Sequence, residues 1–429
     1  MSRAGGAARV GTAATEARPP LATRLLDPRH APSFERRGPL PPPLRPGARL
    51  AVLDVTKWFG ATSGGVRTYL LEKGAHVERH PDLRQVMVVP GAHDRVGDGD
   101  GVRCYQLASP PVPGQAPYRL FLAGDALRRI ARHERPDLIE VGSPLLVPWL
   151  ARRAARDIGV PLVAFHHGLL PHSVSRDPRS LAARLAWRHL RRVDRSVALT
   201  IVGSDYAAAE LAAHGIESMV RVPLGVELGR FHPGRRARAA ETRRRHGLPA
   251  DAPLALFVGR LSGEKGLPMV LDAWREVARR TGAVLALVGD GPLRARLAAR
   301  AEGLPVVFLP FQRDRDAVAD LMAAADLYVS PGSIETFGLS AVEALASGTP
   351  VLSADGGAVA EHVRRSGAGA TFPAGNAGAA AEVAVSLLGA LSPVLSRAAR
   401  AYAEAEHDWE RVFERLFGVY ERVLRGGAP

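Results

Sequence analysis

The sequence predicts an α/β chain of two domains, each a parallel sheet covered by helices. Three observations predict it. At 429 residues the chain is too long for one ordinary core. Short apolar runs alternate with longer helical patterns through both halves, as strand–helix–strand units do. A charged helical stretch around Ala237–His246 interrupts the alternation, and the second domain is expected to start after it.

Residues 1–48 are rich in Ala, Gly, Pro and Arg and have no sustained periodicity. They are expected to form a disordered tail, with eight arginines against Glu16, Asp27 and Glu35. The first domain, 49–230, opens on the buried strand RLAVLDV, Arg49–Val55. The loop Ser63-Gly64-Gly65-Val66-Arg67 follows, then a helix; paired glycines there let the backbone approach an anion or the other domain. Strands are expected at 85–89, 136–141 and 161–165, the last ending on His166-His167-Gly168. A histidine at such a strand end can polarise a hydroxyl or move a proton, and either His166 or His167 could face the cleft.

Residues 180–197 form a basic amphipathic helix, with Leu181, Leu185, Trp187 and Leu190 among Arg184, Arg188, Arg191, Arg192 and Arg195. Its apolar side could pack on the sheet, or a cationic helix bearing tryptophan could dock on an anionic membrane. Strands around Ile201–Ser204 and Val220–Val226 lead to Phe231-His232-Pro233-Gly234, where the chain passes between domains.

The second domain, 231–405, begins with Leu254–Val258 and the loop Gly259-Arg260-Leu261-Ser262-Gly263-Glu264-Lys265-Gly266. Arg260 at the strand end and Lys265 five residues on can reach one diphosphate from two sides. Strands at Val284–Val288 and Val306–Leu309 follow, the latter ending at Pro310-Phe311-Gln312. Then comes SPGSIETFGLSAVEALASGTPVLSAD, Ser330–Asp355, around which the chain is organised. Glu335 precedes a helix starting near Phe337, and Glu343 lies about 9 Å along it. Between them the N–H groups of Phe337, Gly338 and Leu339 form a phosphate seat, and Gly338 keeps a Cβ out of it. Acids flanking a diphosphate are better placed to accept hydrogen bonds from hydroxyls, the layout of a nucleotide-sugar. The amphipathic helix Trp409–Leu424, within the last segment 406–429, closes the chain.

The segment ETFGLSAVEALASGTPVL resembles the donor-site signature of the retaining family 4 of GT-B glycosyltransferases, and GRLSGEKG matches the same family in register. The resemblance covers about 49–425, more specifically in the second domain. It implies two Rossmann-like domains whose parallel sheets face each other across a cleft, with the last helix crossing back to the first. It also implies Glu335 on the sugar, Glu343 on the ribose, Arg260 and Lys265 on the diphosphate, and Gly64 and Gly65 in a glycine loop near donor and acceptor. His167 takes the acceptor-side position by its count from Pro161, and Pro310-Phe311 the base-binding region. Relatives there resemble F-x-G, whereas this chain has Pro310 in place of the glycine. The stretches SGGVRTYLLEKGAHVERHP and EVGSPLLVPWLARRA look most like bacterial mannosyltransferases acting on lipid or glycan acceptors, which favours GDP-mannose as donor. A nucleotide-sugar 2-epimerase and a non-catalytic, membrane-associated sugar-nucleotide binder are the alternatives.

Neither strand end carries a D-x-D pair, so no metal or other cofactor is expected, with cations and a helix tip in its place. The single Cys104 excludes an internal disulfide and a cysteine-based zinc site. A net charge of +14 invites a nucleic-acid reading, but the basic residues are nearly all arginine scattered along the chain, and no nucleic-acid motif accompanies them. No run of 18 uncharged apolar residues appears, and the N-terminus lacks the apolar core of a signal peptide. A cytoplasmic enzyme is expected, in peripheral contact with an anionic membrane if the basic helix docks there.

Overall fold

The computed structural model describes residues 19–426 except 45–46, 61–63, 114–117, 176 and 178. The first sheet contains β1 (Leu50–Val55), β2 (Leu83–Gly91), β3 (Arg95–Asp98), β4 (Val102–Ala108), β5 (Leu138–Val141), β6 (Leu162–His166), β7 (Leu199–Val202) and β8 (Met219–Arg221). Its order is β3-β4-β2-β1-β5-β6-β7-β8, with β3 alone antiparallel to its neighbour. The second sheet contains β9 (Leu254–Val258), β10 (Val284–Val288), β11 (Val306–Leu309), β12 (Leu327–Ser330), β13 (Val351–Ala354) and β14 (Gly369–Phe372), in the order β11-β10-β9-β12-β13-β14. All its pairings are parallel. β1, β5, β6, β9, β10 and β12 are almost wholly buried, as strands covered on both faces must be.

Six helices shape the cleft and its supports: α1 (Leu21–Leu26), α2 (Gly65–Arg79), α3 (Leu181–Asp194), α4 (Arg315–Ala324), α5 (Leu339–Ala346) and α6 (Trp409–Leu424). The last returns to the first domain and packs on α2, with Trp409 and Phe413 against the Tyr69 ring. The outgoing and returning chains run side by side, since Val226 N–H donates to His407 O at 2.7 Å.

The structure corrects two expectations. Residues 19–44 are not a disordered tail, while 1–18 lie outside the described residues. Leu25 and Ala31 are completely buried and Arg24 pairs with Glu78 at 2.7 Å. The proline-rich part is held by its carbonyls: Arg84 donates to Leu44 O at 2.6 Å, Arg103 to Pro42 O at 2.8 Å, and the His133 ring to Pro41 O at 2.7 Å. A proline run has few donors but a full row of acceptors, and cations distant in sequence satisfy it. The second correction concerns α3. Trp187 is buried and stacks on His214 at 3.6 Å, so it cannot enter a membrane. Leu181 and Leu185 stay outside with Arg184, Arg188 and Arg192. Among the described residues no single helix is long and apolar enough to cross a membrane.

A buried polar network fastens α6 to the first sheet. Lys73 Nζ donates to Asp54 at 2.7 Å and Tyr420 at 2.8 Å, and lies 3.7 Å from Glu140. Tyr69 donates to Glu140 at 2.9 Å, Tyr420 donates to its other oxygen, and Gln85 donates to Asp54 at 2.7 Å.

Candidate functional site

The tip of α5 is shaped by Gly338. It caps the helix at φ +82° and ψ +50°, a left-handed conformation that side chains disfavour. A Cβ there would stand 2.3 Å from Val359 Cγ2. This backbone and this neighbour each require glycine here, whatever room it also leaves for a phosphate. Phe337 is buried, its ring edge-on to His362 at 5.1 Å and His407 at 5.6 Å. With the ring held inward, the N–H groups of Phe337, Gly338 and Leu339 stand at a helix start, where they have no intrahelical acceptors.

The loop after β9 abuts the loop after β12. Gly266, at φ +68°, makes this possible, because a Cβ there would lie 2.9 Å from Pro331 O. The approach joins two residues 70 positions apart, and Lys265 Nζ forms an ion pair with Glu335 Oε1. Burial pulls the Lys265 ammonium down, but Glu335, Glu264 and Tyr118 outweigh it and leave its pKa raised. It therefore stays charged. Arg260 is exposed and its side chain makes no hydrogen bond or ion pair among the described residues. Burial raises the Tyr118 phenol and Glu264 adds to it, while Arg260 and Lys265 pull it down. The sequence assigns Lys265 and Glu335 separate tasks; the structure joins them in one pair.

Glu343 points from α5 into the protein and is 3% exposed. Its Oε1 accepts from Arg315 Nη2 at 2.6 Å, at the start of α4, and the Arg315 guanidinium also lies 4.9 Å from the Phe231 ring centre. Sequence reasoning missed Arg315, whose only signal was its place in the QRDRD run after β11. Pro310 and Phe311 are exposed at the end of β11. Among the described residues no hydrogen bond or ion pair joins them to the Lys265–Glu335 pair.

The first domain meets this site from across the cleft. A Cβ on Gly65 would lie 3.9 Å from Leu339, and one on Gly64 would meet nothing, so the starts of α2 and α5 converge. Ser63 lies outside the described residues. Thr336 donates to His167 O at 3.0 Å, and Ser204 donates to Thr336 O at 2.7 Å. His167 stacks on Phe165 with centroids 4.3 Å apart and lies 5.0 Å from Tyr69; its Nδ1 is buried without a partner. Two hollows open here. His166 lines one with Trp58 and Ser143, and His167 lines both, the second with Thr56 and Glu140.

Burial holds these rings neutral. It pushes His166 to about 4 and His407 to about 4, and with smaller pushes from His166 and Lys73 it takes His167 to about 3. The same rings in an unfolded chain protonate near pH 6.5. Between about pH 6.5 and 4 the unfolded state therefore binds more protons, and stability falls as pH falls. Glu72 and Glu140, which burial raises to about 7, act in the opposite sense above about pH 4.5, but they are fewer. The urea midpoint is expected to be lower at pH 5 than at pH 7.5. An unchanged or higher midpoint would show that the rings are not held neutral.

Residues 239–392 match the family described as Glycosyl transferases group 1, and residues 63–230 match Glycosyltransferase Family 4. The chain is 35% identical over 328 residues to a GDP-mannose-dependent alpha-(1-6)-phosphatidylinositol dimannoside mannosyltransferase of Mycobacterium tuberculosis, covering 73% of this chain and 84% of that one. It is 30% identical over 380 residues to a GDP-mannose-dependent alpha-mannosyltransferase of the same organism, covering 88% and 97%. Among solved structures it resembles a sucrose-phosphate synthase from Thermosynechococcus elongatus, at TM-score 0.73 and 20% identity, covering 88% of this chain and 100% of that one. A second is the Anabaena HepE protein in complex with UDP-glucose, at TM-score 0.69 and 20% identity, covering 87% and 99%. These last two likenesses show the fold. Two parallel-sheet domains, two family matches and relatives at this identity lead to one assignment: the chain belongs to the GT-B glycosyltransferases of family 4, the group 1 glycosyl transferases, and is a hexosyltransferase.

Proposed function

We propose that this enzyme transfers mannose from GDP-mannose to a hydroxyl of a lipid or glycan acceptor, with retention of the anomeric configuration and without a metal ion. The observation that carries the reading is the meeting of Lys265 and Glu335 beside the α5 tip, with Gly65 and His167 facing them across the cleft. Arg260, Lys265 and the helix start would bear the charge of the departing GDP, the task a divalent cation performs elsewhere. Glu335 would hold the sugar hydroxyls and face the cationic transition state. His167, held neutral by burial and lining both hollows of the first domain, would take the acceptor side. Relatives named for GDP-mannose support the donor, and one is named for a phosphatidylinositol mannoside. The exposed face of α3, Leu181 and Leu185 beside Arg184 and Arg188, suits peripheral contact with an anionic inner membrane surface.

The test is a panel of sugar nucleotides with membrane lipid extract in EDTA, with products identified by mass spectrometry. A mannosylated product from GDP-mannose alone is expected, in greater yield when the lipid is presented in anionic rather than zwitterionic vesicles. Conversion of the sugar nucleotide to its C2 epimer without acceptor would favour the epimerase reading, and activity that EDTA abolishes and magnesium restores would end the metal-free one.

A further inference from the structure

The geometry points to a divalent transition-metal site outside the cleft, formed by His76 and His80 at the far end of α2 and Glu410 at the start of α6. Their three candidate ligand atoms all lie within 4.8 Å of one another. The two histidines stand one helical turn apart with ring centres 4.1 Å apart. His76 Nδ1 lies 3.1 Å from Glu410 Oε2, and His80 Nε2 lies 3.3 Å from Oε1.

The tautomer of His80 favours a cation here. Its Nδ1 stands 2.9 Å from the carbonyl of His76, which can only accept, so Nδ1 carries the hydrogen. In the neutral ring Nε2 then presents a lone pair to a carboxylate oxygen that also has only lone pairs. The contact is favourable when a cation lies between them. His76 is 2% exposed, and its Nδ1 has no hydrogen-bond partner of good geometry. His80 and Glu410 are about one-third exposed, so an ion can enter from solvent. A backbone carbonyl fixing the tautomer of a ligating histidine is a common outer shell of metal sites.

Two imidazoles and one carboxylate suit zinc and its borderline neighbours, with water completing the sphere; magnesium and calcium require more oxygen. The competitor is Arg79, whose Nη2 donates to Glu410 Oε2 at 2.7 Å. His76 is eleven residues along α2 from Gly65, about 16 Å from the cleft end of that helix. A bound ion would therefore staple the returning helix α6 to α2 without touching the donor site.

Zinc titration of the tag-free full chain by calorimetry tests this. The wild type is expected to take up about one equivalent and to unfold at a higher temperature when loaded. His80→Ala and Glu410→Gln are expected to weaken that uptake by more than about 10-fold, with turnover unchanged. Arg79→Ala, which releases Oε2, should tighten it and so gives a gain of function that misfolding cannot mimic. No saturable uptake, or uptake that none of the three substitutions moves, would overturn the site and leave a proton as the only cation shared by these groups.

Discussion

Glu335→Gln is expected to lower kcat by about 10²–10³-fold while leaving GDP affinity nearly unchanged. Its carboxylate is fixed by Lys265, on a loop pinned by Gly266 against Pro331, so its position costs little to reach during the reaction. The amide keeps the shape but removes the charge that, in the proposed mechanism, faces a developing cation. Glu343→Gln should behave differently. Glu343 is buried and paired with Arg315, so its loss should appear as weaker donor binding and lower stability, with kcat less affected. Steady-state kinetics separate the two. Equal losses in both variants, confined to KM, would contradict this division of roles.

Lys73→Met is expected to destabilise the protein by about 3–5 kcal/mol at pH 7.5. The substitution strands Asp54 and Glu140, each 2% exposed, without the ammonium between them. The Glu140 pKa is already raised to about 7 by burial, against the pull of Lys73, and losing the cation raises it further. Protonated Glu140 needs no counter-charge, so the loss should be smaller at pH 5.5 than at pH 7.5. Urea unfolding at both values checks this. A loss below about 1 kcal/mol, or one that grows on acidification, would show that the network is not held by its charges.

The candidate donor loop was legible because it is local. Glu335, Phe337, Gly338, Leu339 and Glu343 fall within nine residues, and one strand–loop–helix unit places them all. Arg260 and Lys265 fall in one short loop for the same reason, although the contact of Lys265 with Glu335 depends on a close approach that no spacing announces. What escaped was non-local. Proline-rich residues 39–44 look unstructured until arginines 40 to 61 positions away fill their carbonyls. Arg315 looked like one more surface arginine in a chain with 57 basic residues, and only the fold carries it to Glu343. β3 and β4 were not expected from the sequence: the glycines and aspartates of 97–101 carry no strand pattern, and the antiparallel pairing supplies the order. α3 was read correctly as amphipathic, but which face Trp187 took was decided by His214.

The central claim is that Arg260 and Lys265, beside the start of α5, grip a nucleoside diphosphate unaided by metal. Calorimetric titration of GDP into the wild type, Arg260→Ala and Lys265→Ala, all in EDTA, addresses it most directly. Each substitution removes a charge-assisted hydrogen bond, so GDP is expected to bind about 10- to 100-fold more weakly in each. Equal GDP affinity in all three proteins would contradict the account.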